Sequence, residues 1–354
     1  MSQLLIHDQA WFDASAASLA HLIGARSLFQ AWLFDEGIAS CGESPPLLNR
    51  HQSFSVGAMI YLECLAAFIF DQPPDSLRYL RRFGATAEGQ RVYPNPWTGM
   101  STPLFLHLAE TAILMRCKRT SFACHFVRPQ RHSSVELCEN ISRAAKNVYE
   151  MVLRHRPPSA ERVDDTKDPN TPIEHLVSID IIYRLVTLME LIQAFPRLSV
   201  GGDCETNDIA IITTQTDELA FDCAIAILTV ISQLPEDSGA NIMLSIPLIA
   251  AGSALQIRRR PETTRDLATP RGLRDSVSAV MRGEMLATWR EQAKSRLERT
   301  HRRVGVAPLL WAGQLIQQVW QRADAEIRER PADSRSSVHW MNVMIDENLE
   351  TLFG

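Results

Sequence analysis

Apolar positions recur at helical spacing along almost the whole chain. Leu19, Leu22, Ile23, Leu28 and Trp32 form one stripe within residues 14–34, which predicts an amphipathic helix. Residues 53–70 are apolar on nearly every side, which predicts a central helix. Residues 101–118 open with Ser101-Thr102-Pro103, an N-cap followed by proline in the first turn. Residues 133–154 read as a more polar helix stopped by Pro157-Pro158. Further helices are predicted over 173–195 (ended by Pro196), 207–233, 239–257 around Pro247, 275–300, 307–330 and 336–353.

Two stretches break the pattern. Residues 159–171 are charged, turn-rich and almost without apolar side chains, and residues 258–275 are rich in Arg, Thr and Pro. Both are predicted to be exposed loops. The reading is one all-α domain over residues 1–354, multi-helix and orthogonal or solenoid-like, enclosing an apolar pocket.

Charge and cysteines narrow the class. Thirty-six basic residues stand against 41 acidic ones in a chain of 354, a formal charge of -5. A duplex-binding domain is usually basic overall or carries a strong basic face, so direct sequence-specific DNA binding is not expected. The seven cysteines include no C-x-x-C pair. No zinc site and no disulfide are therefore expected, and the thiols suit a reducing compartment. The N-terminus lacks a cationic segment followed by a long apolar run, so no secretory signal is expected. No stretch reads as a bilayer span, and the protein is expected to be soluble.

Candidate chemistry comes from polar groups that interrupt the most apolar helices. Glu63 lies beside Tyr61 and Cys64. A carboxylate there is paired, with arginine the natural partner, or it faces a pocket as its acid. His107 and Glu110 share a helix face by their i,i+3 spacing. That order reverses the Glu-x-x-His of di-iron bundles and has no second copy, so a structural hydrogen bond is the simpler reading. Asp180 and Tyr183 share a face in the same way, and Asp222 has an apolar context. Internal partners or a cavity would each account for them. Cys124-His125 are adjacent, so they do not face each other on a helix. Arg258-Arg259-Arg260 with Arg265, Arg271 and Arg274 form a basic cluster broken by Glu262, Asp266 and Asp275. It reads as a solvated loop, or as a contact for phosphate, an acidic partner or an import receptor. No phosphate loop, dinucleotide fingerprint, nucleophile elbow or His-Glu-x-x-His motif is present, and no cofactor is expected.

Several segments, in order, carry a resemblance. They are His21-Leu22-Ile23-Gly24-Ala25-Arg26, Pro96-Trp97-Thr98-Gly99 opening an apolar helix, and Asp180 to Leu188 with Tyr183-Arg184. After them come Leu234-Pro235-Glu236-Asp237-Ser238, Pro247-Leu248-Ile249-Ala250-Ala251-Gly252, Trp311 to Trp320, and His339-Trp340-Met341 to Leu352-Phe353-Gly354. Together they resemble the fungal-specific transcription factor domain, the regulatory region of fungal zinc-cluster transcription factors. The zinc cluster itself is not in this sequence, and Met1 begins almost at the regulatory region. A truncated regulator, a split regulator and a stand-alone paralogue are all compatible with that start. The resemblance turns Asp208 to Thr214, with Ile209, Ile211 and Ile212, from a short strand candidate into helix or turn.

The resemblance implies a regulatory protein that takes a signal from a small apolar metabolite or a partner protein, such as a full-length regulator. It implies a link to fungal secondary metabolism and a place in the nucleus. The alternative is a cytoplasmic enzyme, a cofactor-independent cyclase or isomerase acting on a natural-product intermediate in the helical pocket. Glu63, His107, Glu110, Asp180 and Tyr183 are the candidate pocket residues for either role. A decoy that blocks a full-length paralogue is a third reading.

Overall fold

The computed structural model describes residues 16–38, 44–127, 131–198, 209–256, 270–305, 308–329 and 337–350. Among these the fold is all-α. The helices are α1 (Ala16–Asp35), α2 (Arg50–Ile69), α3 (Thr102–Val127), α4 (Arg131–Arg154) and α5 (Ile173–Ala194). They continue as α6 (Ile209–Gln233), α7 (Ser245–Ala254), α8 (Pro270–Val304), α9 (Pro308–Glu329) and α10 (Trp340–Asp346).

Most helices pack against a neighbour in sequence, α2 on α3, α3 on α4, α5 on α6, α6 on α7, and α9 on α8 and α10, while α3 also meets α5 and α9 meets α7. Consecutive elements of a chain are usually adjacent in space. The buried side chains nonetheless form one cluster running from Leu22 to Met344.

α2 starts at a capping box. The Gln52 amide donates to Asn49 Oδ1 and the Asn49 amide donates to Gln52 Oε1, each at 3.0 Å. These bonds satisfy amides that a helix start leaves without partners. From Val56 to Ile69 the helix is buried at every residue but Tyr61. By length and composition α2 could cross a membrane, contrary to expectation, but most of its apolar window is buried inside the protein. Its apolar surface is thus spent on neighbouring helices.

α7 is buried at all ten positions and touches α5, α6, α8, α9 and α10. Its small residues allow this. A Cβ on Gly252 would sit 3.5 Å from Ile316 and 3.7 Å from Ala293. The Gly252 carbonyl also accepts from Trp320 Nε1 at 2.8 Å.

Several expectations need correcting. Pro247 lies in the first turn of α7 rather than mid-helix; there its missing amide breaks no helical bond. The preceding Gly239–Met243 is a separate 3₁₀ turn. Residues 209–214 belong to α6, in line with the helix or turn expected there. α3 runs to Val127, nine residues past its expected end. Ser101 does not cap α3 with its side chain: its buried hydroxyl has no partner among the described residues. Its carbonyl instead receives the Leu104 and Phe105 amides.

Residues 159–171 form a docked strap rather than a free loop. Val163 is buried and bridges to Val92. Arg162 donates to the Ala87 and Gln90 carbonyls. α8 begins at Pro270, inside the second expected loop. Arg258, Arg259, Arg260 and Arg265 lie outside the described residues.

Candidate functional site

The five polar candidates do not converge on one place. Each meets a protein partner of its own. Glu63 is fully buried on α2. Its carboxylate accepts from Arg26 Nε at 2.5 Å, from Arg26 Nη2 at 2.6 Å and from the Tyr79 hydroxyl at 2.6 Å. Burial, then the Glu63 charge, raises the Tyr79 hydroxyl far above its ordinary value. For Arg26 burial is the largest influence and pulls down, yet the Glu63 bond and charge leave the guanidinium net raised. Arg26 also donates to Gln72 Oε1.

His107 and Glu110 meet on α3, His107 Nδ1 lying 3.2 Å from Glu110 Oε2. The other ring nitrogen donates to the Gly84 carbonyl at 2.9 Å. Arg81 reaches the second Glu110 oxygen at 3.4 Å.

Asp180 and Tyr183 share α5 but face different partners. Both Asp180 oxygens meet His155 Nε2, at 3.1 and 2.9 Å. The Tyr183 hydroxyl donates to the Met243 carbonyl at 2.8 Å, and its ring stacks on Phe105 with centroids 4.0 Å apart. Asp222 is exposed, which corrects its expected burial. It points away from the core because Ala220 and Ala224, on either side of it, take the buried face of α6. The side chains of Cys124 and His125 lie outside the described residues.

Two further buried acid–base groups had no local signal. Glu190, fully buried on α5, accepts from His339 Nε2 at 2.9 Å and Trp340 Nε1 at 2.8 Å. Arg116 on α3 binds Asp71 at 2.7 Å, the Phe68 carbonyl at 2.8 Å and Glu350 at 2.9 Å. Their partners lie 45 to 234 positions away in sequence.

Among the described residues no three His, Cys, Asp or Glu side chains come together as a metal group would require. The thiols there are unpaired. Burial, then the charge of Asp222, raises the Cys223 thiol to about 11, and burial raises Cys64 further still. Neither is a poised nucleophile.

A cavity of about 310 Å³ lies elsewhere, between the C-terminal half of α8 and the α6–α7 connection. Arg296, Arg299, Arg302 and Arg303 line it, with Thr300, Asn241 and Glu236. α8 puts these arginines on adjoining faces by their i,i+3 and i,i+4 spacing. Arg303 Nη2 donates to the Asp237 carbonyl at 2.7 Å, and Arg299 pairs with Glu236.

An all-helical chain, cross-linked by buried acid–base pairs along its length, is the class these observations define. The model of the fungal specific transcription factor domain matches residues 3–354, and the chain belongs to that family. The family supports a role in transcriptional regulation. No curated protein and no solved structure matches the chain.

Proposed function

We propose that this chain is the signal-receiving and partner-binding part of a fungal transcriptional regulator, acting in the nucleus. DNA contact is made by another module or by a partner regulator. The observation that carries this is the family match over nearly the whole chain. The net charge of -5 and the absence of any C-x-x-C pair in the sequence support it. The signal is a small metabolite or a protein, and the target genes include those of secondary metabolism. The chain acts as one unit, which the single buried cluster supports.

The enzyme alternative needs an acid or base free to meet substrate. Glu63, His107, Glu110, Asp180 and Tyr183 are all occupied by protein groups, which favours the regulator.

Tethering supplies the test. The full chain is fused to an unrelated DNA-binding module and placed upstream of a reporter. A severalfold change in transcription is expected. A fusion that reaches its site and changes nothing would overturn the proposal. So would a deletion strain that loses a natural product while its biosynthetic transcripts stay normal.

A further inference from the structure

The recess on α8 carries more cationic than anionic side chains. Four guanidinium groups and one carboxylate line it, in a chain that is acidic overall. Arg296 forms its floor and is only 8 % exposed. Arg296 Nη2 is committed to the Leu234 carbonyl at 3.1 Å and to Asn241 Oδ1 at 2.8 Å. No acceptor among the described residues meets its Nε or Nη1.

Arg299 donates through Nε to the Ser295 carbonyl at 3.3 Å and through Nη1 to Glu236, which leaves its Nη2 unused. Arg302 makes no hydrogen bond or ion pair with the described residues. Burial, and next the neighbouring Arg299, push the Arg296 guanidinium below its ordinary value, although Glu236 pulls the other way.

Part of this cluster serves the fold. Arg302 and Arg303 sit in the last turn of α8, where cations suit the negative end of a helix. Arg303 is spent on the Glu236 and Asp237 carbonyls. That accounts for Arg303 and not for the free donors of Arg296, Arg299 and Arg302. A buried guanidinium with unused Nε and Nη1 donors in the lining of a concave space can give an oxyanion single hydrogen bonds, its forked edges both sharing the committed Nη2.

We propose that this recess binds a small oxyanion carrying two or more negative charges, a phosphate group or paired carboxylates. Arg296 lies beneath it, and Arg299 and Arg302 close on it from the rim. The volume falls at the small end of the range for ligand pockets, about 300 Å³ upward, which suits a metabolite of modest size. Glu236 competes with the ligand for Arg299. Duplex DNA fits less well, since the best-placed guanidinium lies at the bottom of a recess rather than on a broad basic face. The inference goes beyond the regulatory reading and does not depend on it, because binding is measured without any transcriptional readout.

The test is calorimetric titration of the full chain with inorganic phosphate and, separately, with citrate, against chloride at matched ionic strength. Saturable binding of at least one is expected, and the stronger of the two identifies the source chemistry. Arg302→Gln breaks no hydrogen bond or ion pair with the described residues, so it should weaken binding about fivefold while lowering the melting temperature only slightly, by loss of a helix-end cation. Glu236→Gln should tighten binding. Arg296→Gln should abolish it, and Arg302→Gln remains decisive if that variant folds poorly. Three results would each overturn the proposal: no saturable binding of either anion, the same affinity in Arg302→Gln and Glu236→Gln as in the parent, or tight binding of duplex DNA or an acidic peptide that neither anion displaces.

Discussion

The carboxylate of Glu190 accepts a hydrogen bond from the indole Nε1 of Trp340 at 2.8 Å, across 150 positions of sequence. Its other oxygen takes His339 Nε2 at 2.9 Å. The Met341 amide donates to His339 Nδ1 at 3.2 Å, so Nδ1 is an acceptor and the ring proton sits on Nε2. Glu190 and Trp340 are both fully buried. One carboxylate thereby holds the C-terminal segment to α5.

Trp340→Phe keeps an aromatic ring and removes the donor. It should cost about 1–3 kcal/mol, because a buried acceptor is left short of a partner. Chemical denaturation measures the loss. Adding Glu190→Leu should cost less than the two single losses summed. Full additivity would show that the pair is not coupled.

Glu63 makes the same point more strongly. Three donors from two side chains converge on it, and the Arg26 side chain is 17 % exposed. Glu63→Leu strands a largely buried guanidinium and should cost about 3–5 kcal/mol. The double variant Arg26→Met with Glu63→Leu should recover much of that. Thermal or urea melts decide it: a double variant as unstable as the summed singles would mean that α1 and α2 are not joined through this pair.

Gly57 sits in the middle of α2, where glycine ordinarily costs stability relative to alanine. Asn95 explains it. A Cβ at position 57 would lie 2.5 Å from Asn95 Nδ2, which donates to the Phe54 carbonyl at 3.2 Å. The Trp97 amide donates to Asn95 Oδ1 at 2.9 Å, so the Asn95–Gly99 turn is seated on α2 through this side chain. Gly57→Ala should therefore lower stability by about 1–3 kcal/mol despite its better helix propensity. A gain in melting temperature would show that Asn95 moves aside at little cost.

The fold was largely legible because its signals are local. The dense run of α2 and the prolines after α4 and α5 act within a few residues; the stripe of α1 was read only in part, since Ile23 and Leu28 are exposed and Ala25, Phe29 and Leu33 join Leu22 on the buried face. The helix class needs no long-range knowledge. Arginine as the partner of Glu63 was legible in kind, since a carboxylate among Met59, Cys64 and Phe68 must be met by something. Which arginine was not, because Arg26 is 37 positions away. Glu190 was missed for the same reason, as nothing near it in sequence announces His339 and Trp340. The α8 recess was missed because the basic cluster singled out in the sequence was that of Arg258 to Arg274, and nothing local sets the α8 arginines against a wall. Only the return of Leu234–Asn241 beneath Arg296 turns their helix face into a cavity. The strap at 159–171 misled through composition: one buried Val163 and one well-placed Arg162 outweigh its many exposed polar residues.

Asp346 gives the acid response of the C-terminal helix. Its Oδ1 accepts from Arg119 Nη2 on α3 at 2.8 Å, and its Oδ2 from Arg322 Nη1 on α9 at 3.2 Å. Arg119 also holds Asn342 at 2.8 Å, so α10 is clamped between two helices by two guanidiniums. Burial alone would raise the Asp346 carboxyl, but Arg119 and then Arg322 outweigh it and hold the group below its ordinary value of 3.8. A carboxyl depressed in the folded state contributes stability that is complete above its unfolded value. That contribution is lost as pH falls through the lower, folded value. The parent should therefore lose stability more steeply than Asp346→Asn as pH falls below about 4, since the amide cannot titrate. At neutral pH the variant should be the weaker protein, by a modest amount because the carboxylate is 44 % exposed. Salt at about 1 M should shrink the difference by screening. Melting temperatures from neutral pH down to the acid limit, at low and high salt, measure all three. Parallel pH profiles for parent and variant would show that Asp346 is not what holds α10 at acid pH.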